Sequence, residues 1–189
     1  MGLAEVIKGR RSVRKFKPDP VPKEVIEGIL DLAIWAPSGM NRQEWYFVVV
    51  QGEKVEEMKK IFADAFQDMK PRLEKVFADK PKIIAATKEF FETYGRAPVF
   101  IFAYCGKGSD GKTWDTNSTA VAVQNLQLAV YEAGLGSTWT DGILGKEKEI
   151  NEALGIKDKK LVCVLPVGYP DEVPRVPSRR EGRVEWVGF

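Results

Sequence analysis

Apolar and polar positions follow two different periods along this chain, and the periods mark out its elements. Between residues 23 and 35 the apolar side chains recur every three or four positions, as on one face of a helix. Residues 45–51, 97–105 and 160–168 are short apolar runs rich in β-branched and aromatic side chains, which is typical of buried strands. The same reasoning predicts further helices over 3–9, 53–66, 72–94, 115–133 and 146–154, and a short strand over 137–143.

Prolines and glycines predict where these elements end. Pro71 and Pro81 predict breaks in the charged helical region, because proline lacks an N–H group and its ring collides with the preceding helical turn. Gly134 predicts the end of the helix over 115–133, which is apolar on almost every side and therefore favours a central, buried position. The tail that follows Pro170 has no core pattern.

Strands alternate with helices, which favours an α/β or α+β arrangement with helices around one sheet. The chain has 189 residues and no visible linker or repeat, so we expect one domain over 1–189. No apolar run approaches the roughly 18 residues that span a bilayer, and the N-terminus has no signal-peptide pattern. We therefore expect no membrane partner and a cytoplasmic protein.

The absence of histidine narrows the chemistry. It removes the commonest general base and a common metal ligand, so Ser–His–Asp and Cys–His hydrolases are excluded in their usual form and no metal is expected. Cys105 and Cys163 lie in apolar runs and are expected to be reduced core residues. Lys and Arg total 29 against 27 Asp and Glu, a net charge of +2 that weakens any nucleic-acid function.

A cationic cluster stands at the end of the first predicted helix. Residues 10–16 read Arg-Arg-Ser-Val-Arg-Lys-Phe. Arginine presents paired donors that match phosphate oxygens, so a phosphorylated ligand is one interpretation. A solvated basic turn and a nucleic-acid patch are the two others.

Residues 106–113 match the phosphate-binding pattern G-x-x-x-x-G-K-[ST] between a predicted strand and a predicted helix. A nucleotide hydrolase also needs a hydrophobic strand that ends in Asp to hold magnesium, whereas the run over 160–168 leads into Tyr169 and Pro170. A Gly-, Ser-, Asp- and Lys-rich connection is also ordinary loop chemistry. We regard residues 106–113 as a surface loop and keep a P-loop phosphotransferase or hydrolase as the alternative function.

Four segments, in this order, resemble the nitroreductase family of FMN-dependent flavoproteins. Together they extend over almost the whole chain, and their order and spacing carry more weight than any one of them. They are residues 10–16; residues 36–45 with the strand that follows; residues 124–129 running into 134–139; and residues 167–170 with the arginine-bearing tail.

The resemblance implies an α+β fold with a central mixed, mainly antiparallel sheet flanked by helices. It also implies an intertwined homodimer that exchanges its C-terminal tails and binds FMN between its subunits. The tail without a core pattern and the nearly all-apolar helix over 115–133 fit that implication.

The family motifs assign cofactor-binding roles to residues in four places. The N-terminal cluster would contact the phosphate and ribityl groups, and the loop after residue 36 would contact the flavin from the other subunit. Residues 140–142 would place backbone N–H groups near flavin N5. The tail would add a last contact to the phosphate. The residues are Arg10, Arg11, Ser12, Arg14, Pro37, Ser38, Gly39, Asn41, Gln43, Thr140, Asp141, Gly142 and either Arg179 or Arg180.

The chemistry that the resemblance implies belongs to the flavin, so no side chain is assigned as a catalytic acid, base or nucleophile. Electrons would pass from NADH or NADPH through flavin N5 to a nitroaromatic, a quinone or a similar electron-poor small molecule, by a ping-pong mechanism. Residues 53–94 are expected to cover the flavin and line the acceptor pocket. A flavin-binding protein without turnover remains a further alternative.

Overall fold

The computed structural model describes residues 1–188, with helices on both faces of a four-stranded sheet. The helices are α1 (Leu3–Gly9), α2 (Lys23–Ala33), α3 (Glu53–Val76), α4 (Pro81–Thr93), α5 (Thr116–Glu132) and α6 (Glu147–Leu154). The strands are β1 (Trp45–Gln51), β2 (Val99–Cys105), β3 (Gly136–Ser137) and β4 (Lys160–Gly168). Short 3-10 turns occupy Gly39–Asn41, Tyr94–Arg96 and Leu144–Lys146.

The sheet has the order β1-β2-β4-β3, and every ladder in it is antiparallel. One parallel bridge joins Ser12 to Ser137 and adds the basic segment as an edge beyond β3. The sheet is therefore mixed and mainly antiparallel, as the sequence predicts.

The core has two layers, one on each face of the sheet, because successive side chains along a strand point to opposite faces. Phe100, Phe102 and Tyr104 of β2 face the layer that contains α3, α4 and α6. Val99, Ile101 and Ala103 face the opposite layer with α2 and α5. Burial on both faces explains why β2 and β4 read as continuous apolar runs. Cys105 and Cys163 are free and buried there, as predicted.

The predicted break at Pro71 is wrong. Helix α3 continues through Pro71 to Val76, and the chain breaks instead at Phe77–Lys80. An interior proline costs about 3 kcal/mol, and the buried face of α3 offsets that cost at about 1.5–3 kcal/mol for each large apolar side chain such as Met58 and Phe62. Pro81 stands in the first turn of α4, where its missing N–H has no helical partner to lose.

The predicted strand over 137–143 is only partly formed. Residues 136 and 137 pair with the end of β4, and Thr140 rejoins it by a single bridge to Val164. The chain then turns, because the Leu144 N–H donates to the Asp141 carbonyl oxygen at 3.0 Å. Residues 138–142 therefore follow the sheet edge without a continuous ladder, and this leaves some backbone groups free to face outwards.

Helix α5 is buried on one side only. Val123, Leu126 and Val130 pack in the core, whereas Val121 is 42 % exposed on the opposite side. The predicted burial is thus confirmed for the face toward the sheet. Among residues 1–188 no helix is long and apolar enough to cross a membrane.

Candidate flavin-binding site

The basic cluster runs along the sheet edge beside β3. The Val13 N–H donates to the Ser137 carbonyl oxygen at 3.0 Å, and the Phe16 N–H donates to the Gly95 carbonyl oxygen at 2.8 Å. The side chains of Val13 and Phe16 are buried and anchor the segment. Arg10 and Ser12 are half-buried and Arg14 is exposed, so the predicted phosphate-binding side chains remain available to a ligand.

The charges of Arg11 and Arg179 act on the Arg10 guanidinium group at the start of this segment. Burial lowers the pKa of Arg10, and the positive charges of Arg11 and Arg179 lower it further. Within the part of the chain that the structure describes, Arg10 has no carboxylate partner to balance this repulsion. Such a cluster is a site for a multiply charged anion. The tail residue whose charge acts on Arg10 is Arg179 and not Arg180.

Arg11 is engaged with the backbone. Its Nη1 group donates to the carbonyl oxygens of Lys8 at 2.6 Å and of Arg10 at 2.7 Å. These carbonyls lie at the C-terminal end of α1, where a cation also meets the negative end of the helix dipole. The structure therefore gives Arg11 a helix-capping role beside its predicted ligand role.

Two residues that the sequence reasoning missed hold the basic segment in place. The Glu172 carboxylate accepts hydrogen bonds from the backbone N–H groups of Arg14 and Lys15. Gly95 has φ +63°, and a Cβ atom there would lie 2.1 Å from the Arg14 carbonyl oxygen. The segment can approach only because residue 95 has no side chain. A glycine directly after the helical residues 72–94 is the one signal that could have indicated it.

Residues 140–142 lie next to the cluster on the same edge of the sheet. The Thr140 N–H donates to the Val164 carbonyl oxygen at 3.0 Å, so it cannot also point at a ligand. The backbone N–H groups of Asp141 and Gly142 have no backbone acceptor within residues 1–188. The predicted backbone donors near N5 are thus reduced from three residues to two.

An open cavity of about 570 Å³ connects these elements. Its polar wall includes Arg14 and residues 138–142, and its other wall comes from α3 and α4. Gly142 lies under that wall, since a Cβ atom there would approach Met69 Sδ to 2.7 Å and Phe91 Cζ to 2.8 Å. Of the aromatic residues in 53–94, Phe90 and Phe91 line the cavity, whereas Phe62 and Phe66 belong to the buried core.

Tyr94 supports the turn from inside the core. Its ring is fully buried and stacks on Phe90 with ring centroids 4.9 Å apart. Burial raises the pKa of its phenol, and the side chain of Thr140 lies beside the hydroxyl group. The phenol is therefore neutral at physiological pH, and its hydroxyl oxygen is buried without a hydrogen-bond partner among the described residues.

The loop over 37–43 lies elsewhere. The Gln43 N–H donates to Ser38 Oγ at 2.9 Å, and Gln43 Nε2 donates to Asn41 Oδ1 at 3.0 Å. Met40, Asn41 and Gln43 all have φ near +54°, a strained conformation for residues with side chains. The loop is exposed apart from Ser38, which is half-buried.

Sheet geometry places this loop diagonally opposite the basic cluster. The loop leads into Trp45, which pairs with Cys105, whereas Ser12 pairs with Ser137 near the Val99 end of β2. Four strand spacings give about 19 Å across the sheet, and six residues of strand give about 20 Å along it. One flavin cannot contact both corners of a single chain.

The P-loop-like segment over 106–113 is held by hydrogen bonds within the segment. The Asp110 carboxylate accepts hydrogen bonds from the N–H groups of Lys112 at 2.8 Å and Thr113 at 2.9 Å, and these hydrogen bonds lower the pKa of Asp110. The next helix begins after Asp115, whose side chain accepts from the Ser118 N–H at 3.0 Å. Carboxylates thus occupy the donors that a phosphate needs, and the surface-loop interpretation of 106–113 holds. No cluster of potential metal ligands occurs among the described residues 1–188.

Comparison with known proteins agrees with this fold. The model of the nitroreductase family matches residues 7–169. The Bacillus subtilis protein YfhC, whose name classes it with NAD(P)H nitroreductases, is 32% identical over 94% of this chain and 89% of its own length. The iodotyrosine deiodinase of Thermotoga neapolitana is also 32% identical, over 99% of this chain and 98% of its own length.

Solved structures show the same fold. The FMN-dependent nitroreductase NfnB of Mycobacterium smegmatis, in complex with NADPH, has a TM-score of 0.78 and 22% identity, with 97% of each chain covered. An iodotyrosine deiodinase bound to FMN and 3-iodo-L-tyrosine has a TM-score of 0.76 and 29% identity over the full length of both chains.

This chain belongs to the nitroreductase family. The resemblance of the four motif segments, the α+β fold and the class of enzyme, an oxidoreductase of the nitroreductase type, are thereby confirmed. The exchange of C-terminal tails stays a prediction.

Proposed function

We propose that this chain is an FMN-dependent oxidoreductase that takes electrons from NADH or NADPH and passes them to an electron-poor small molecule such as a nitroaromatic or a quinone. The observation that carries the proposal is the basic cluster over residues 10–16, whose Arg14 lines a cavity together with residues 138–142 and whose Arg10 has no carboxylate partner among the described residues. A phosphate monoester matches the cluster in charge, and a flat ring system fits the neighbouring cavity.

The described residues fit FMN both in the charge that its phosphate needs and in the space that its ring system needs. Arg10, Ser12, Arg14 and Arg179 would hold the phosphate and ribityl groups, while Arg11 adds positive charge from its capping position. When bound, FMN supplies two-electron exchange at its N5 atom. The chain needs no general base for that chemistry, which suits its lack of histidine.

The protein's contribution is electrostatic. The free N–H groups of Asp141 and Gly142 supply donors for the N5 side of the ring. The N–H and hydroxyl groups of Thr140 both donate to the Val164 carbonyl oxygen, so the neighbouring donors are held in place before charge develops. The wall of α3 and α4 shields one side of the cavity from water.

The site is completed by a second copy of the chain. Pro37, Ser38, Gly39, Asn41 and Gln43 would reach the flavin from the partner subunit, since their own basic cluster is at the opposite corner of the sheet. Several large apolar side chains are exposed on the single chain, and a homodimer would bury them. They include Leu3, Ile7, Leu32, Trp35 and Val121.

Replacing Val121 by Glu is expected to separate the subunits and to remove FMN, although every residue of the basic cluster is unchanged. A charge on the exposed side of α5 would be buried without a partner in the dimer, and this is strongly unfavourable. Sedimentation velocity and the flavin content of the purified protein measure both effects.

Val76→Glu is the matched control, because Val76 is 60 % exposed at the end of α3 and its replacement should leave dimer and flavin intact. A monomeric Val121→Glu protein with a full complement of FMN would refute the two-subunit site.

The direct test of the function is the absorbance of the purified protein. We expect flavin bands, and we expect NADH or NADPH to bleach them under anaerobic conditions until an acceptor is added. Colourless protein that binds magnesium nucleotides would support the P-loop alternative instead. Flavin that no nicotinamide reduces would indicate a binding protein without turnover.

A further inference from the structure

The cavity beside residues 138–142 is asymmetric in charge. Arg72 of α3 and Lys82 of α4 lie on its helical wall, and Arg14 of the basic segment also lines it. Among its lining residues the single carboxylate is that of Asp141. The helical wall therefore presents two positive charges to whatever small molecule occupies the cavity.

These two cations have no ionic partner within residues 1–188, whereas neighbouring lysines do. Lys70 and Glu74 lie 3.8 Å apart on α3, and Lys88 and Glu92 lie 3.6 Å apart on α4.

Arg72 and Lys82 cannot form the same pairs with their helical neighbours. The acid one turn before Arg72, Asp68, pairs instead with Lys146 at 3.0 Å. Lys82 is followed at the third and fourth positions by Ala85 and Ala86. The charges of Arg72 and Lys82 are therefore not neutralised by the helices that carry them.

The start of α4 adds to this field. Lys82 and Ile83 stand in its first turn, which contains no acidic residue, and both line the cavity. The N-terminal end of a 13-residue helix carries partial positive charge that favours an anion nearby. The helix end reinforces the two side chains and is not by itself the site.

The remainder of the wall is apolar and partly aromatic. Ile83, Phe90 and Phe91 of α4 line the cavity together with Trp139. A planar ring system would pack against these side chains, while a charged substituent would reach the two cations. The wall thus matches a molecule with one flat apolar part and one anionic part.

We propose that Arg72 and Lys82 form an anion-binding subsite, and that the electron acceptor is an aromatic or conjugated acid held through its carboxylate. This inference rests on the proposed function, because that function makes this cavity the place where the acceptor meets the flavin. The anion on the reductant, a phosphate of NADH or NADPH, is the other source of the same chemistry.

Binding to the oxidised holoenzyme tests the subsite without turnover. Benzoate and its neutral analogue benzamide are titrated, and the shift of the flavin absorbance bands reports occupancy. We expect benzoate to bind about tenfold more tightly than benzamide, because two solvent-exposed cations give a moderate charged interaction. The variants Arg72→Gln and Lys82→Gln should reduce this preference, and the double variant should abolish it.

Lys88→Gln is the control, since Lys88 lies on the same helix but pairs with Glu92 and does not line the cavity. It should keep the preference for benzoate. An equal preference in the double variant and in the wild-type protein would overturn the subsite.

Steady-state kinetics separate the two sources of the anion. If the acceptor carries it, the double variant raises KM about tenfold for 4-nitrobenzoate and leaves KM for 4-nitrobenzamide, NADH and NADPH unchanged. A rise confined to NADH or NADPH would overturn the proposal in favour of the reductant. A failed function looks different, because the protein would then be colourless or would not be bleached by either nicotinamide.

Discussion

Replacing Gly95 by Ala is expected to weaken FMN binding about 100-fold, although Gly95 contributes no side chain to the site. The added Cβ atom would lie 2.1 Å from the Arg14 carbonyl oxygen and 2.7 Å from the Arg14 carbonyl carbon. Both are backbone atoms, so the basic segment must move away from the Tyr94–Arg96 turn. The movement also breaks the hydrogen bond from the Phe16 N–H to the Gly95 carbonyl oxygen.

The expected loss is large because Arg10 and Arg14 shift together. Two charged hydrogen bonds at roughly 1.5 kcal/mol each correspond to about a 100-fold increase in the Kd for FMN. Titration of apoprotein with FMN measures this Kd. The unfolding free energy should fall as well, by more than about 3 kcal/mol, because strain and overpacking add.

Gly111→Ala is the matched control. Gly111 has the same φ of +63°, but a Cβ atom there would meet nothing within 4 Å. Its replacement should cost only the conformational penalty of about 1 kcal/mol and leave the Kd for FMN unchanged. Equal effects of the two substitutions would show that backbone conformation, and not contact with Arg14, governs the site.

The second large effect concerns the arginines themselves. Arg10→Ala and Arg14→Ala should each weaken FMN binding by roughly 1.5–3 kcal/mol, since each removes a charged hydrogen bond to the cofactor. Stability of the apoprotein should respond differently. Removing Arg10 relieves repulsion from Arg11 and Arg179, so the unfolding free energy should stay within about 0.5 kcal/mol or rise.

Arg179 and Arg180 provide a paired comparison within this experiment. The charge of Arg179 acts on Arg10, so Arg179→Ala should weaken FMN binding, whereas Arg180→Ala should have little effect. Unchanged affinity in both Arg10→Ala and Arg14→Ala would remove the basic cluster from the cofactor site. Apoprotein destabilised by Arg10→Ala would assign the residue a structural role instead.

Local patterns were sufficient for most elements of the fold. The continuous apolar runs over 45–51 and 160–168 predict strands with the bounds that the structure has. The helix over 115–133 differs from α5 by one residue at each end. Pro71 was misread because a local rule assigned a break that the buried face of α3 outweighs. The strand predicted over 137–143 is longer than the observed one, because strand pairing depends on a partner far away in the chain, β4.

The site was predictable where a motif concentrates charge in the sequence. Arg10, Ser12 and Arg14 stand within five positions, and the structure leaves all three at least partly exposed, with Arg14 lining the cavity. Arg72 and Lys82 were not predicted as lining residues, because nothing in a charged helix shows which cations lack a partner.

The sequence by itself determined the class of this protein. The four motif segments identify the family, and the absence of histidine excludes the usual hydrolases. Tertiary structure alone decided three further points: that Gly95 lets the basic segment approach, that the charge of Arg179 acts on Arg10, and that the loop over 37–43 lies at the opposite corner of the sheet. The physical reason is common to all three. Each depends on contacts between residues far apart in the chain, and no local period or motif encodes such a distance.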